Sequence, residues 1–179
     1  MKHGTRHRWM FVGLCGAIAL AGCANGSLDG PVKSNIVRVN KYFSSSCWLS
    51  RSGDGTDRVD GVSFTVYLED AQRPKGVFGT GVILVEMYRL DSDEQGREKP
   101  VLVKRWELPA ERAYPYRAKI ETGMGWGYGL RLFWDEDADV TGKQVAFLVK
   151  YIREDGSVIA SSRQVLKVPP TGRTRPMRA

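Results

Sequence analysis

The chain has 179 residues, of which 42% are hydrophobic, 26% charged and 10% aromatic. That balance fits one compact folded domain and excludes a disordered or fibrous chain. The formal charge of +7 comes from 27 Lys and Arg against 20 Asp and Glu, and it is concentrated at the two ends.

Lys2, Arg6 and Arg8 make a basic start, and Met10 to Leu20 is an apolar run without charge. This is the pattern of an export signal. The run falls short of the roughly 20 apolar residues a permanent membrane helix needs. At its end, Leu20-Ala21-Gly22-Cys23 resembles the lipobox of bacterial lipoproteins over all four positions. The resemblance implies that residues 1–22 are a lipoprotein signal peptide and that Cys23 becomes the mature N-terminus. Cys23 would then carry a diacylglycerol through its sulfur, with fatty acyl chains such as palmitate. Small side chains at Ala21 and Gly22 leave the backbone and thiol open to the processing enzymes. Ala24, where an aspartate would imply retention at the inner membrane, implies passage to the outer membrane, and the expected location is the cell envelope, lipid-anchored at the outer membrane and facing the periplasm. Residues 23–34 read as the lipidated N-terminus and its tether. The 11 residues from Ala24 to Ser34 are polar and interrupted by Pro31, and reach at most about 36 to 40 Å when extended.

Cleavage before Cys23 removes His3 and His7, leaving a mature chain without histidine. Ser-His-Asp, Cys-His and His-ligated zinc chemistries each need an imidazole, so none is expected. No enzyme activity and no cofactor is expected. Removing three cations and no acid lowers the formal charge to +4, and five of the remaining cations, Arg163, Lys167, Arg173, Arg175 and Arg178, lie in the last 17 residues. The body between the ends is nearly neutral, which excludes the basic face of a nucleic-acid binder. Cys15 leaves with the signal and Cys23 takes lipid, so Cys47 has no disulfide partner and reads as a small buried apolar group. Stability must come from an apolar core, which a domain of about 150 residues can build unaided.

Period-two patterns follow the tether. Ile36 to Lys41 alternates imperfectly, and Ser44, Ser45 and Ser46 beside Cys47 read as a polar strand edge or turn. Val62, Phe64, Val66 and Leu68 alternate cleanly with Ser63, Thr65, Tyr67 and Glu69, as in a half-buried strand. Val82 to Leu90 is more continuously apolar. Val101 to Leu108 puts Leu102, Trp106 and Leu108 on one parity with Lys104 among them, so both segments read as strands covered on much of each face. Pro109 to Ala113 allows one short turn before Pro115. Tyr116 to Glu121 alternates again, and Trp126, Tyr128, Leu130, Leu132 and Trp134 share one side. Val145, Phe147, Val149 and Tyr151 form a strand joined to Val158–Val168 through Asp155-Gly156, a pair suited to a type I′ hairpin turn. The expected fold is all-β, a two-sheet antiparallel β-sandwich of about 7–8 strands over residues 35–168. Pro169 and Pro170 then end the last strand, and residues 169–179 form a flexible basic tail.

Three features invite a site. Trp106, Trp126 and Tyr128 are candidate contacts for a ligand or partner, and the alternating glycines from Gly123 to Gly129 leave one side of that strand bare. The simplest consequence of the bare side is close approach of a crossing aromatic ring or another strand. Asp135, Asp137 and Asp139 form a candidate cation loop, and Asp91 to Gly96 offers oxygen ligands before a glycine. Neither completes the twelve-residue calcium-hand pattern, which places a glycine sixth and a glutamate twelfth. Calcium held between loops is the one cofactor option these carboxylates leave. A small lipidated β-sandwich whose run Glu86-Met87-Tyr88-Arg89-Leu90 resembles a Tyr-polar-Leu strand ending is similar to the outer-membrane lipoprotein family of type VI secretion, although here the run follows two predicted strands. That resemblance implies loops presented to a periplasmic assembly and assigns no binding residue. The expected role is a membrane-anchored cell-envelope lipoprotein acting as a structural or protein-interaction module. Its partners would be membrane lipid through Cys23 and another envelope protein. The alternative is a carbohydrate- or peptide-binding module.

Overall fold

The computed structural model describes residues 29–51, 58–120 and 123–169. The signal segment, Cys23 and residues 170–179 of the tail lie outside the described residues. Eleven strands are described, in the order β1 (Val32–Lys33), β2 (Ile36–Leu49), β3 (Gly61–Asp70), β4 (Arg73–Gly79), β5 (Val82–Ser92), β6 (Glu98–Pro109), β7 (Arg117–Ile120), β8 (Gly125–Phe133), β9 (Gln144–Ile152), β10 (Val158–Ala160) and β11 (Gln164–Lys167). The one helix among them is α1 (Ala110–Ala113), a single turn continued by a 3₁₀ turn at Tyr114–Tyr116. No described helix is long and apolar enough to cross a membrane.

The strands form an all-β sandwich of two mostly antiparallel sheets. The first sheet runs β1-β4-β3-β8-β7, with β2 on the other edge of β3. The second runs β10-β9-β5-β6, with β11 also on β9. Two pairings in the first sheet, β1 with β4 and β4 with β8, are parallel. The strand count exceeds the expected 7–8 because β1, β4 and a divided last strand were not foreseen.

Period-two alternation accounts for the core. Val62, Phe64, Val66 and Leu68 of β3 are buried, as are Val145, Phe147, Val149 and Tyr151 of β9. Each such side chain contributes about 1.5 to 3 kcal/mol relative to exposure. Phe43 stacks on Phe64 at 4.5 Å, and Phe147 of the opposite sheet approaches both rings at 5.4 and 6.1 Å. This aromatic group ties the two layers together. Cys47 is buried in the same core, and burial pushes its thiol pKa up, away from reactive thiolate. The three serines before it lie where the β2–β3 register slips between Phe43 and Trp48, so they form a bulge that swings back to place Cys47 inside.

Three local expectations change. Val32–Lys33 belongs to the first sheet through β4, and the Pro31 carbonyl accepts the Phe78 N–H at 2.9 Å. The folded body therefore begins earlier than residue 35. In β6 the register shifts so that Met87 faces Lys104 while Tyr88 faces Leu102. That bulge at Val103 breaks the parity, so Trp106 and Leu108 turn inward while Leu102 turns outward at 47% exposure. The hairpin at Asp155-Gly156 exists, but its turn is not type I′. Gly156 donates to the Arg153 carbonyl, Arg153 to the Ser157 carbonyl, and only Gly156 has positive φ, at 81°. Glu154 and Asp155 thus make an ordinary turn followed by a left-handed glycine bulge. Asp93 to Arg97 repeats this geometry, with Gly96 at φ 75°, and the oxygen-rich run before Gly96 is the β5–β6 hairpin.

Candidate functional site

The three candidate rings do not form one surface. Tyr128 lies on the inner row of β8 at 1% exposure, its hydroxyl accepting the Gly79 N–H at 3.0 Å. Burial pushes the phenol pKa up. Trp126 is half-buried at the flank, 5.6 Å from the Phe78 ring, which also touches Tyr128 at 5.3 Å. The Lys119 ammonium covers the Trp126 ring at 5.6 Å, and the Arg117 guanidinium covers Phe78 at 4.4 Å. Trp106 sits apart, half-buried, donating its indole N–H to the Phe133 carbonyl at 3.0 Å. Phe133 is seven residues along β8 from Trp126, roughly 23 Å. Trp106, Trp126 and Tyr128 each pack or hydrogen-bond within the sandwich, and only Tyr128 is fully buried.

Among the described residues the acidic loop makes one side-chain ion pair, and its backbone carbonyls accept two arginines. Asp135 takes the Lys104 ammonium at 2.5 Å, the Asp139 carbonyl accepts Arg89 at 3.2 Å, and Arg89 is also paired with Asp91 at 2.8 Å. Arg58 donates to the Glu136 carbonyl. Asp135, Asp137 and Asp139 line an open cleft of about 280 Å³ with Val101, Leu102 and Val103. Among the described residues no three His, Cys, Asp or Glu side chains come together to hold a metal ion. Lys104 supplies positive charge to Asp135, and Arg89 stands in the same cleft as Asp137 and Asp139.

The outer face of the second sheet holds the most deeply buried charge. Glu86, at 1% exposure, accepts Arg105 at 2.8 Å, Lys150 at 2.9 Å and the Tyr88 hydroxyl at 2.8 Å. Burial is the largest single influence on this carboxyl and opposes its ionisation. The bonds from Lys150, Tyr88 and Arg105 together outweigh it and hold the pKa below the usual carboxylate range. The accepted bond from Tyr88, followed by burial, raises the tyrosine pKa in turn. With its two cations and a hydroxyl engaged, this cluster is a closed structural network.

The outer face of the first sheet is different. The register places Tyr42 across from Thr65, Thr65 across from Gly129, and Ser63 across from Arg131. Together with Ser44 these residues line an open groove of about 390 Å³. Tyr42 is 52% exposed and stands edge-on to Tyr67 at 5.6 Å and 84°. Arg131 is exposed and has no ion pair among the described residues.

The glycines of β8 separate packing from vacancy. A side chain at Gly127 would begin 2.9 Å from the Val66 carbonyl and 3.1 Å from the Tyr67 ring, so this glycine admits a crossing aromatic. Gly129 has ordinary negative φ and nothing within 4 Å of where a Cβ would stand. Packing does not require a glycine there, and its bareness leaves the groove floor open. Sequence reasoning missed Tyr42, Ser63, Thr65 and Arg131 as a group. The available signal was that Gly127, Gly129 and Arg131 share the parity opposite to the aromatic row.

No protein-family model and no curated protein matches the chain. Among solved structures, the sporulation control protein Spo0M from Bacillus subtilis aligns with a TM-score of 0.40 and 10% identity, over 75% of this chain and 50% of that one. MtrC from Shewanella baltica OS185 aligns with a TM-score of 0.42 and 9% identity, over 79% of this chain and 24% of that one. The chain thus spans half the length of the first and less than a quarter of the second. At these TM-scores the alignments carry no functional argument.

Proposed function

We propose that the protein is a lipoprotein of the bacterial cell envelope, held by lipid on Cys23, whose sandwich acts as a structural or protein-interaction module. The observation that carries this reading is Leu20-Ala21-Gly22-Cys23, standing directly behind a basic and then an apolar segment. From Cys23 to Pro31, where backbone pairing with β4 begins, the chain spans at most about 29 Å. The sandwich therefore works at the membrane surface, on the periplasmic side of the outer membrane. The interaction role is supported by β6, which among the described residues pairs only with β5 and has no strand on its other edge. Unpaired edge N–H and C=O groups accept an added strand from a partner.

Fractionation of cells expressing the wild type and Cys23→Ser tests the anchor. The wild type is expected in membranes and the variant released from them, and equal distribution of the two would overturn it. Gentle solubilisation should then recover a stoichiometric envelope partner.

A second reading, a small-ligand module for carbohydrate or peptide, is favoured by one observation. The groove floored by Gly129 is open, and the arginine beside it has no ion pair among the described residues.

A further inference from the structure

We propose that the groove on the outer face of the first sheet binds an acidic saccharide, with a pyranose ring against Tyr42 and its carboxylate on Arg131. This rests on the second reading above and names the ligand class for that groove.

The groove lies on a sheet face and not at a sheet edge. The backbone groups of β3 along this stretch are committed to β2 on one side and β8 on the other. A peptide main chain finds no free ladder there, so recognition falls to side chains. Those present are a half-exposed tyrosine ring, the hydroxyls of Ser44, Ser63 and Thr65, and the Arg131 guanidinium. A tyrosine ring offers a flat apolar surface to the C–H face of a sugar, and each hydroxyl can both donate to and accept from the sugar's own hydroxyls. A few placed polar groups around a void of several hundred Å³ is the usual make-up of a small-molecule site.

Charge selects among sugars. Arg131 is the only charged residue lining the groove, and no described carboxylate pairs with it. A guanidinium presents a planar fork that matches a carboxylate in two parallel hydrogen bonds. Gly129 completes the site, since Thr65 stands beside it on β3 and Arg131 follows two residues later on the same face of β8. A side chain at 129 would rise next to Thr65 in the row that starts at Tyr42, and would narrow the groove beside Arg131 where a bound ring must enter.

The test is calorimetric titration of the full chain in detergent with trigalacturonate, its uncharged methyl ester and the acidic tripeptide Asp-Asp-Asp. Trigalacturonate is expected to bind, the ester to bind more weakly, and the tripeptide not to bind. Arg131→Gln should weaken trigalacturonate by about tenfold or more and leave the ester unchanged. Gly129→Val should abolish binding at an unchanged melting temperature, because its side chain enters free space. Trigalacturonate binding that survives both substitutions would overturn the proposal. Ester binding as tight as the acid's, or preference for the tripeptide, would also overturn it while leaving the groove a ligand site if Gly129→Val still blocks it. Failure of all three ligands to bind the wild type would remove the second reading as well, without touching the lipid anchor.

Discussion

The outer faces of the two sheets are built from the same alternation and end in opposite states. On the second sheet, Glu86 is buried and every one of its neighbours, Arg105, Lys150 and Tyr88, is turned toward it. On the first sheet, Arg131 stands exposed beside an open floor at Gly129. A charge that has spent its hydrogen bonds internally fixes structure, whereas a charge left without a counter-ion is free to recognise one. The contrast also separates two meanings of a bare position, since Gly127 is filled by Tyr67 and Gly129 by nothing.

The largest expected effect comes from breaking the closed side. Glu86→Ala leaves Arg105, Lys150 and Tyr88 without their shared acceptor and should cost about 2 to 3 kcal/mol in urea unfolding. Its signature in pH is directional. The unfolded carboxyl takes up its proton near the ordinary value of about 4.3, but the folded one holds out to lower pH. The stabilisation is therefore present at neutral pH and is lost as pH falls through that window. Glu86→Gln should flatten the acid limb of the stability curve between those two values.

Gly127→Val comes next, since it forces a side chain against the Val66 carbonyl and Tyr67 and should cost about 2 kcal/mol. Arg105→Gln removes a half-exposed partner of Glu86 while Lys150 remains, and should cost about 1 kcal/mol or less by the same unfolding measurement. Smallest are Gly129→Val and Arg131→Gln, both expected within about 0.5 kcal/mol of wild type. A large loss at Gly129 would show that the groove floor is packed and would erase the contrast with Gly127.

Fold class was legible because β3 and β9 each keep one parity apolar and buried along their length, with Tyr67 and Ala146 covered on the other face as well. β4 was not, because Arg73, Pro74, Lys75 and Gly76 show no alternation. Its place depends on Gly76 passing close to the Trp126 carbonyl, a contact between distant segments. The bulge in β6 hid in the same way, since a one-residue slip is set by pairing with β5 and not by the run itself. The role of Glu86 inside an apolar run went unread, since its partner Lys150 lies 64 positions further along the chain. The groove was half legible. Parity alone puts Gly129 and Arg131 on one face, while only the order β2-β3-β8 sets Tyr42 and Thr65 beside them. The rings at 106, 126 and 128 drew attention as aromatic residues near glycines, yet alternation had already assigned Trp126 and Tyr128 to the core row.

The anchor at Cys23 is the claim on which place and partners depend, and the intact mass of the mature protein extracted from membranes tests it most directly. The account predicts a chain that starts at Cys23 and is heavier than its sequence by a diacylglycerol and an acyl group. A mass matching an unmodified Cys23, or a chain that still carries residues 1–22, would contradict it.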